Sequence, residues 1–175
     1  MMIYSPPLLH QRCQRGVPSN KINTLGFIDI RKAHFHAAVK RLMYVQLPEE
    51  FCEPGEFGKI CGILNFSLYC TRDAASNWEE CYAKFLVSIG FVQGMSSPCV
   101  FHHPKRDIST VVHGDDFTSL ACESDLIWFR QQQLQNKFLI KDRGILGPDK
   151  HDFKEIPLLN HVIAWENQGI RYEAD

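Results

Sequence analysis

The sequence has no excess of basic residues, and this absence removes the simplest argument for a nucleic-acid partner. Its 175 residues carry 19 Lys and Arg against 20 Asp and Glu, which gives a formal net charge of −1. Proteins that bind a phosphate backbone usually show a basic excess or a basic patch. Any such function must therefore be argued from particular residues and their order.

Paired cysteines and long apolar runs are absent as well. None of the seven cysteines forms a Cys-x-x-Cys pair, which argues against a zinc ribbon and against a thioredoxin-type site. Residues 1–9 contain two prolines and no charged leader region, and no apolar run approaches the roughly 18 residues that span a membrane. We therefore expect a soluble intracellular protein with free thiols and no membrane partner, located in the cytoplasm or the nucleus.

Apolar residues are plentiful enough for one compact domain, at 45% of the chain with 11% aromatics. A stripe of Trp78, Tyr82, Phe85 and Ile89 at helical spacing predicts a long helix over residues 74–89. Alternating or continuous apolar stretches predict strands. The predicted strands cover residues 25–30, 43–47, 99–103, 110–113, 117–121 and 138–141, with a weak final hairpin at 161–165 and 170–172.

Capping residues support two helices. Asp73 and Gly90 stand where the long helix would begin and end, and Ser124 is placed to cap a second helix that reaches about residue 138. The elements then follow in the order strand, helix, strand and hairpin, helix, strand. This order predicts an α+β fold in which helices pack on one face of an antiparallel sheet.

Acidic residues at two positions of this sheet suggest chemistry. Asp29 lies near the C-terminal end of the first predicted strand, and Asp115 and Asp116 follow Gly114 at the tip of a predicted hairpin. Three carboxylates gathered at one sheet edge repel one another and favour bound cations. Mg²⁺ prefers oxygen ligands, and two such ions about 3.5–4 Å apart would suit phosphoryl transfer. A purely structural interpretation stays open, because Gly-Asp-Asp also suits a tight turn for backbone reasons.

Four segments, in order, resemble the motifs of copia-type retrotransposon reverse transcriptases. The first resembles the family's aspartate-bearing strand and "YV-x-LP" strand, and the second its turn, Trp-containing helix and Pro-led strand. The third is similar to the aromatic-x-Asp-Asp hairpin, and the fourth to "F-x-x-K-D-L-G". The segments are residues 27–51 (FIDIRKAHFHAAVKRLMYVQLPEEF), 68–103 (LYCTRDAASNWEECYAKFLVSIGFVQGMSSPCVFHH), 111–121 (VVHGDDFTSLA) and 138–147 (FLIKDRGILG).

The resemblance implies an RNA-directed DNA polymerase, a nucleotidyltransferase that uses dNTPs and a primed RNA or DNA template. It implies a polymerase palm with a ferredoxin-like core over residues 25–147. Residues 1–24 would be a loosely structured remnant of the fingers, and residues 148–175 a weak C-terminal hairpin region. The fingers, thumb and ribonuclease H segments of a parent polyprotein are expected to lie outside this chain.

Site residues follow from the same resemblance. Asp29 and Asp115 would hold two Mg²⁺ ions, with Mn²⁺ as an alternative, and Asp116 would be a third carboxylate. Three further residues would line the nucleotide-binding site. The Ile30 carbonyl would be a further metal ligand, and the His34 ring would lie against the sugar, where it would exclude a 2′-hydroxyl. Lys141 would be a general acid for pyrophosphate.

The sequence also departs from the family pattern. His113 and Gly114 replace a Tyr and a bulkier residue before the aspartate pair, Cys70 replaces a Gly, and Asp73 begins an Asp-Ala-Ala where Gln-Ala-Pro is usual. Two alternatives therefore stand beside an active polymerase. One is a non-catalytic transposon-derived remnant or nucleic-acid-binding module. The other is an unrelated nucleotidyl-transfer or cyclase domain with the same arrangement of acids.

Overall fold

A computed structural model describes residues 22–167 and 169–174, and these residues form an α+β fold built on antiparallel sheets. The expectation of loose structure before residue 22 lies outside the described residues. The main sheet has six strands in the order β4-β5-β6-β7-β1-β8. In chain order the strands are β1 (Asn23–Ile30), β2 (Tyr44–Gln46), β3 (Cys61–Ile63), β4 (Val92–Gln93), β5 (Val100–His103), β6 (Ile108–His113), β7 (Asp116–Cys122), β8 (Ile140–Leu146), β9 (Glu155–Leu158), β10 (His161–Glu166) and β11 (Gly169–Ala174).

Two helical segments pack on one face of the main sheet. The first is α1 (Ala74–Ser88), and the second begins with α2 (Glu123–Ile127), continues as a π-helix (Trp128–Leu134) and ends with α3 (Gln135–Lys137). The larger apolar core lies between these helices and the sheet. Its largest fully buried side chains are Trp78, Leu86, Phe101, Ile108, Phe117, Phe129 and Leu134.

Strand β1 contributes to both faces of the sheet because its side chains alternate. Ile28 and Ile30 belong to the core under the helices, whereas Leu25 and Phe27 belong to a second core on the opposite face. That second core is closed by the three-stranded sheet β11-β10-β9, through Ile156 and Ile163 among others. Asp29 shares the face of Leu25 and Phe27 and lies at the end of β1.

Most predicted elements are present, within one to three residues of their expected bounds. The helix over 74–89 and the hairpin of β6 and β7 are confirmed, and the expected C-terminal hairpin is extended by β9 to three strands. The sequence patterns do not predict β3, β4 or β9, which have 3, 2 and 4 residues, and strands this short carry a weak periodic signal. No helix in the described part of the chain is both long and apolar enough to cross a membrane.

At the helix ends, the structure differs from two of the expectations and confirms the third. Asp73 is the N-cap residue of α1 but makes no side-chain cap bond, because its carboxylate pairs with Arg41. The second helix begins at Glu123, so Ser124 lies inside its first turn and does not cap it. Gly90 ends α1 as expected, with a φ of +102°, and the Gly90 and Phe91 amides donate to the Val87 and Leu86 carbonyls.

Helix α1 and strand β1 together fix the turn between β6 and β7. The buried Trp78 donates its indole N–H to the Gly114 carbonyl at 2.7 Å. The Ile30 amide donates to the Asp115 carbonyl at 2.8 Å. Both carbonyls of the two-residue turn are therefore held by groups from other elements, and the turn cannot shift without losing bonds on both sides.

Replacing Trp78 by Phe is expected to lower the free energy of unfolding by about 2–4 kcal/mol, since the change leaves a cavity and removes the bond to the turn. Urea denaturation followed by circular dichroism measures this loss. Trp165→Phe is the matched control, because Trp165 packs against the second core, away from the turn. Equal losses in the two variants would show that the indole bond to Gly114 contributes nothing specific.

Candidate active site

Asp29 and Asp116 face each other across two hydrogen-bonded strands. Their Cα atoms are partners in the antiparallel register of β1 and β7, and both residues are partly buried. Directly opposed residues of an antiparallel pair point to the same face and have Cβ atoms about 4.5–5.5 Å apart. The register therefore gathers two carboxylates that the sequence separates widely, on the face of the sheet that the helices leave free.

Asp115 lies beside this pair at the tip of the hairpin. His113 and Asp116 are register partners, so Gly114 and Asp115 form a two-residue turn. Gly114 has a φ of +62°, and Asp115 is not among the residues with positive φ, which is the backbone of a type II′ turn with Gly at its first central position. The Gly that departs from the family pattern thus suits the local backbone well. Its turn leaves the Asp115 side chain exposed.

Charged and titratable residues form a row across four strands at this end of the sheet. Asp116 pairs with His113 on one side and with Asp29 on the other, and Asp29 in turn pairs with Lys141 of β8. Lys141 is exposed, so its ammonium group is free to meet a ligand from solvent. Lys141 is thus the register partner of Asp29, and its role as a general acid stays a prediction.

A β-bulge in β8 brings a further cation to the site. The register of β1 with β8 shifts between Phe27 and Ile28, which pair with Gly144 and Asp142 and leave Arg143 as the extra residue. Arg143 donates a hydrogen bond from Nη1 to Oδ1 of Asp116 at 3.2 Å. Among the residues that the structure describes, no other ion pair involves Asp29, Asp115 or Asp116.

Electrostatics distinguish Asp116 from an ordinary surface aspartate. Burial raises the pKa of its carboxyl group, and the nearby charges of Asp115 and Asp29 raise this pKa further. Arg143 and, more weakly, His113 act in the opposite direction, yet the pKa stays above its ordinary value. Loss of hydration therefore outweighs the stabilising charge of Arg143 on the Asp116 carboxylate.

The donor set fits a hard divalent cation, since all three side chains offer carboxylate oxygens. In the described part of the chain, no three His, Cys, Asp or Glu side chains already converge at coordinating distances. Asp29, Asp115 and Asp116 are adjacent in the fold, but their side chains would have to rotate before their oxygens could share a metal ion. Asp29 and Asp115 make no ion pair with a described residue, whereas Asp116 is engaged by Arg143.

His34 and Ile30 occupy different surroundings. His34 lies in the 3-10 turn Ala33–His36 that follows β1, and its ring centroid is 4.3 Å from that of Tyr69. Its Nδ1 atom is buried and has no hydrogen-bond partner among the described residues. The Ile30 side chain is fully buried in the core, so only its backbone can take part in a site.

Sequence reasoning missed three contributors to the site. Arg143 depends on a bulge, and an irregularity of one residue leaves no periodic signal, although the Gly144 that follows it has a φ of +103°. Trp78 is a core residue as predicted, but its bond to Gly114 depends on tertiary packing. The Tyr69 ring contacts the His34 ring at a tilt of 42°, and the only sequence feature that pointed to Tyr69 is the Leu-Tyr turn in the second motif.

Asp116→Asn is expected to raise the free energy of unfolding at neutral pH. Because the pKa of the folded carboxyl lies above its ordinary value of 3.8, the charged form opposes folding once the pH exceeds the raised pKa, and an amide removes that opposition. As the pH falls below the ordinary value, Asp116 is protonated in the folded and unfolded states alike, and the advantage disappears.

Urea denaturation at neutral pH and at about pH 3 tests this expectation, with the acid range chosen below the ordinary aspartate pKa. Asp107→Asn is the control, because Asp107 is exposed in the turn between β5 and β6. A variant less stable than the original protein at neutral pH would mean that the Arg143 ion pair outweighs the cost of burial.

Comparisons with known proteins identify the family of the chain. Residues 18–151 match the family model described as "Reverse transcriptase (RNA-dependent DNA polymerase)". Over 120 residues the chain is 27% identical to the "Retrovirus-related Pol polyprotein from transposon TNT 1-94" of Nicotiana tabacum. This alignment covers 67% of the chain but 9% of the polyprotein, so the chain spans a small part of that relative. Since the family match extends over most of its length, the chain belongs to the reverse transcriptase family of copia-type retrotransposons.

Proposed function

We propose that this chain is the catalytic palm of an RNA-directed DNA polymerase, which joins dNTPs to a primer 3′-hydroxyl on an RNA or DNA template. The observation that carries the proposal is the docking of the Gly114-Asp115 turn against β1. Two hydrogen bonds from separate elements hold that turn, and the β1–β7 register sets Asp29 opposite Asp116. Family membership makes polymerase chemistry the expected use of these acids and argues against an unrelated cyclase.

The proposed palm is the six-stranded antiparallel sheet with its two helical segments. Helices cover one face of this sheet and the second core covers part of the other. At the end of β1, Asp115 is exposed and Asp29 and Asp116 are partly buried, so a primer terminus and a nucleotide can approach the carboxylates from solvent. The sheet makes a rigid support, and functional side chains on strands hold their geometry better than side chains on long loops.

Asp29 and Asp115 are the proposed ligands of two Mg²⁺ ions, with the Ile30 carbonyl as a further ligand and Asp116 as a third carboxylate. When bound, such ions stabilise the attacking and leaving oxygens of an in-line phosphoryl displacement. The protein's own contribution is to fix the carboxylates: the Asp29 backbone through the β1–β7 ladder, and the Asp115 backbone through the Ile30 amide. Mn²⁺ is a proposed alternative, because it accepts the same oxygen ligands.

His34 and Tyr69 are proposed to form the wall against the nucleotide sugar. The two rings are in contact, and His34 follows Asp29 by five residues, in the 3-10 turn that begins three residues after β1 ends. A flat ring at this place would leave no space for a ribose 2′-hydroxyl. Lys141, opposite Asp29 in the register, is the proposed proton donor to the departing pyrophosphate.

Primer extension tests the proposed activity directly. The chain is expected to extend oligo(dT) on poly(rA) with dTTP and Mg²⁺, and Asp115→Asn is expected to reduce the rate by at least about 100-fold, as loss of a group that stabilises transition-state charge does. Asp107→Asn applies the same substitution to the exposed turn of the neighbouring hairpin and should keep full activity.

Absence of extension by folded protein would contradict autonomous catalysis and favour the alternative of a non-catalytic remnant. Extension that survives Asp115→Asn would instead contradict the proposed site. Circular dichroism spectra of all three proteins establish that a lost rate does not reflect a lost fold.

His34→Ala is expected to relax the rejection of ribonucleotides. Removing the ring opens space beside the sugar, so the ratio of kcat/KM for dTTP to that for UTP should fall by about 10-fold or more, the effect of 1.4 kcal/mol in the transition state. His151→Ala, an exposed histidine beyond β8, serves as the control. An unchanged ratio in an active His34→Ala protein would remove His34 from the sugar-binding role.

A further inference from the structure

We propose that Arg143 is a built-in counter-ion that competes with divalent cations for Asp116 and so sets the cation affinity of the carboxylate site. This inference rests on the proposed function, because it takes the carboxylates to be cation ligands. It goes beyond that function by naming a residue outside the acidic set that controls how readily the set accepts a cation.

The bulge in β8 is what directs Arg143 to the site. Regular pairing continues from Ile28–Asp142 towards the end of β1 and from Phe27–Gly144 towards its start, and Arg143 is the residue without a partner on β1. A bulge bends the strand and turns the extra side chain out of its regular direction. Gly144, with a φ of +103°, permits this bend because it lacks a Cβ atom.

The Arg143 side chain must reach across β1 to meet Asp116. The strand order is β7-β1-β8, so the two residues stand on opposite sides of β1, about 9–10 Å apart at two strand spacings. The Nη1 atom of Arg143 nevertheless lies 3.2 Å from Oδ1 of Asp116. Since Asp29 is the register partner of Asp116, the guanidinium group engages a carboxylate that a cation shared by the two aspartates would need.

Neighbouring acids do not compete for Arg143. Asp142, the adjacent residue, is engaged by Arg130 and accepts a hydrogen bond from the Gly144 amide at 3.0 Å. The segment that this stretch resembles reads "F-x-x-K-D-L-G", with Leu where Arg143 stands. A neutral side chain at this position would leave Asp116 with no ion-pair partner among the described residues.

Arg143 competes with a divalent cation for Asp116 because its own charge is permanent. Arg does not lose its proton in proteins, so it leaves Asp116 only by displacement. The Asp116 side chain is 19% exposed and the Arg143 side chain 35% exposed, which places the pair between a surface and a buried ion pair. Pairs of this kind change an equilibrium by up to about 5-fold, and that is the effect expected on cation binding.

Titration of the full chain with Mn²⁺, followed by the electron paramagnetic resonance signal of the free ion, tests the proposal without measuring activity. Arg143→Leu should bind Mn²⁺ about 5-fold more tightly than the original protein, because the competing charge is gone. Arg143→Lys keeps the charge but loses the planar fork, and its affinity should lie between the two. Circular dichroism establishes that each variant is folded, and the Lys variant carries the test if the Leu variant is not.

Arg171→Leu is the matched control, since Arg171 pairs with Glu155 and Glu166 in the sheet β11-β10-β9. Its Mn²⁺ affinity should equal that of the original protein. Equal affinities of Arg143→Leu and the original protein would overturn the role of Arg143 while leaving the proposed function intact. No saturable binding in any protein, or binding that survives Asp115→Asn, would instead contradict the carboxylate site on which both proposals depend.

Discussion

The antiparallel register between β1 and β7 is the constraint on which the candidate site depends. It sets Asp29 opposite Asp116 and, through the turn that precedes β7, places Asp115 within reach of both. A shift of this register by one residue would send every side chain of β1 to the other face of the sheet. Ile28 and Ile30 would then leave the main core, so the packing under the helices opposes such a shift.

At this end of the sheet, burial is favourable for the apolar side chains and unfavourable for the charged carboxylates. The apolar residues of β1 and β7 favour a dry interior, whereas Asp116 loses hydration there and its pKa rises. The hydrogen bonds from Trp78 and Ile30 hold the turn in place against the repulsion of its carboxylates. Repulsion between neighbouring carboxylates is characteristic of sites that bind cations, because a bound cation relieves it.

The sequence predicts the parts of this protein that have a long enough pattern. The apolar stripe of α1 and the hairpin flanking Gly114 are both in place, since helical spacing and a Gly-Asp turn each leave a local signal. The sequence suggests that the carboxylates gather at one sheet edge, whereas the pairing of β1 with β7 and its register required the structure. The family resemblance supplied the expected use of the acids, which spacing alone leaves open.

Other features depend on tertiary contacts and could not be inferred from the sequence. Asp73 has the right residue type for a cap, yet its carboxylate is taken by Arg41, which lies more than thirty residues earlier in the chain. Arg143 reaches Asp116 only because a bulge redirects it. In each case a distant partner decides the role of a charged side chain, and the local propensity of that residue does not.

We propose that Asp29 and Asp115 bind the same cation. A crystal structure of the chain grown with Mn²⁺ and examined by anomalous diffraction tests this most directly. We expect an anomalous peak at about 2.0–2.3 Å from a carboxylate oxygen of each residue, as for other small divalent cations with oxygen ligands. A peak bound to one of these aspartates alone, or no peak between them at saturating Mn²⁺, would contradict the account.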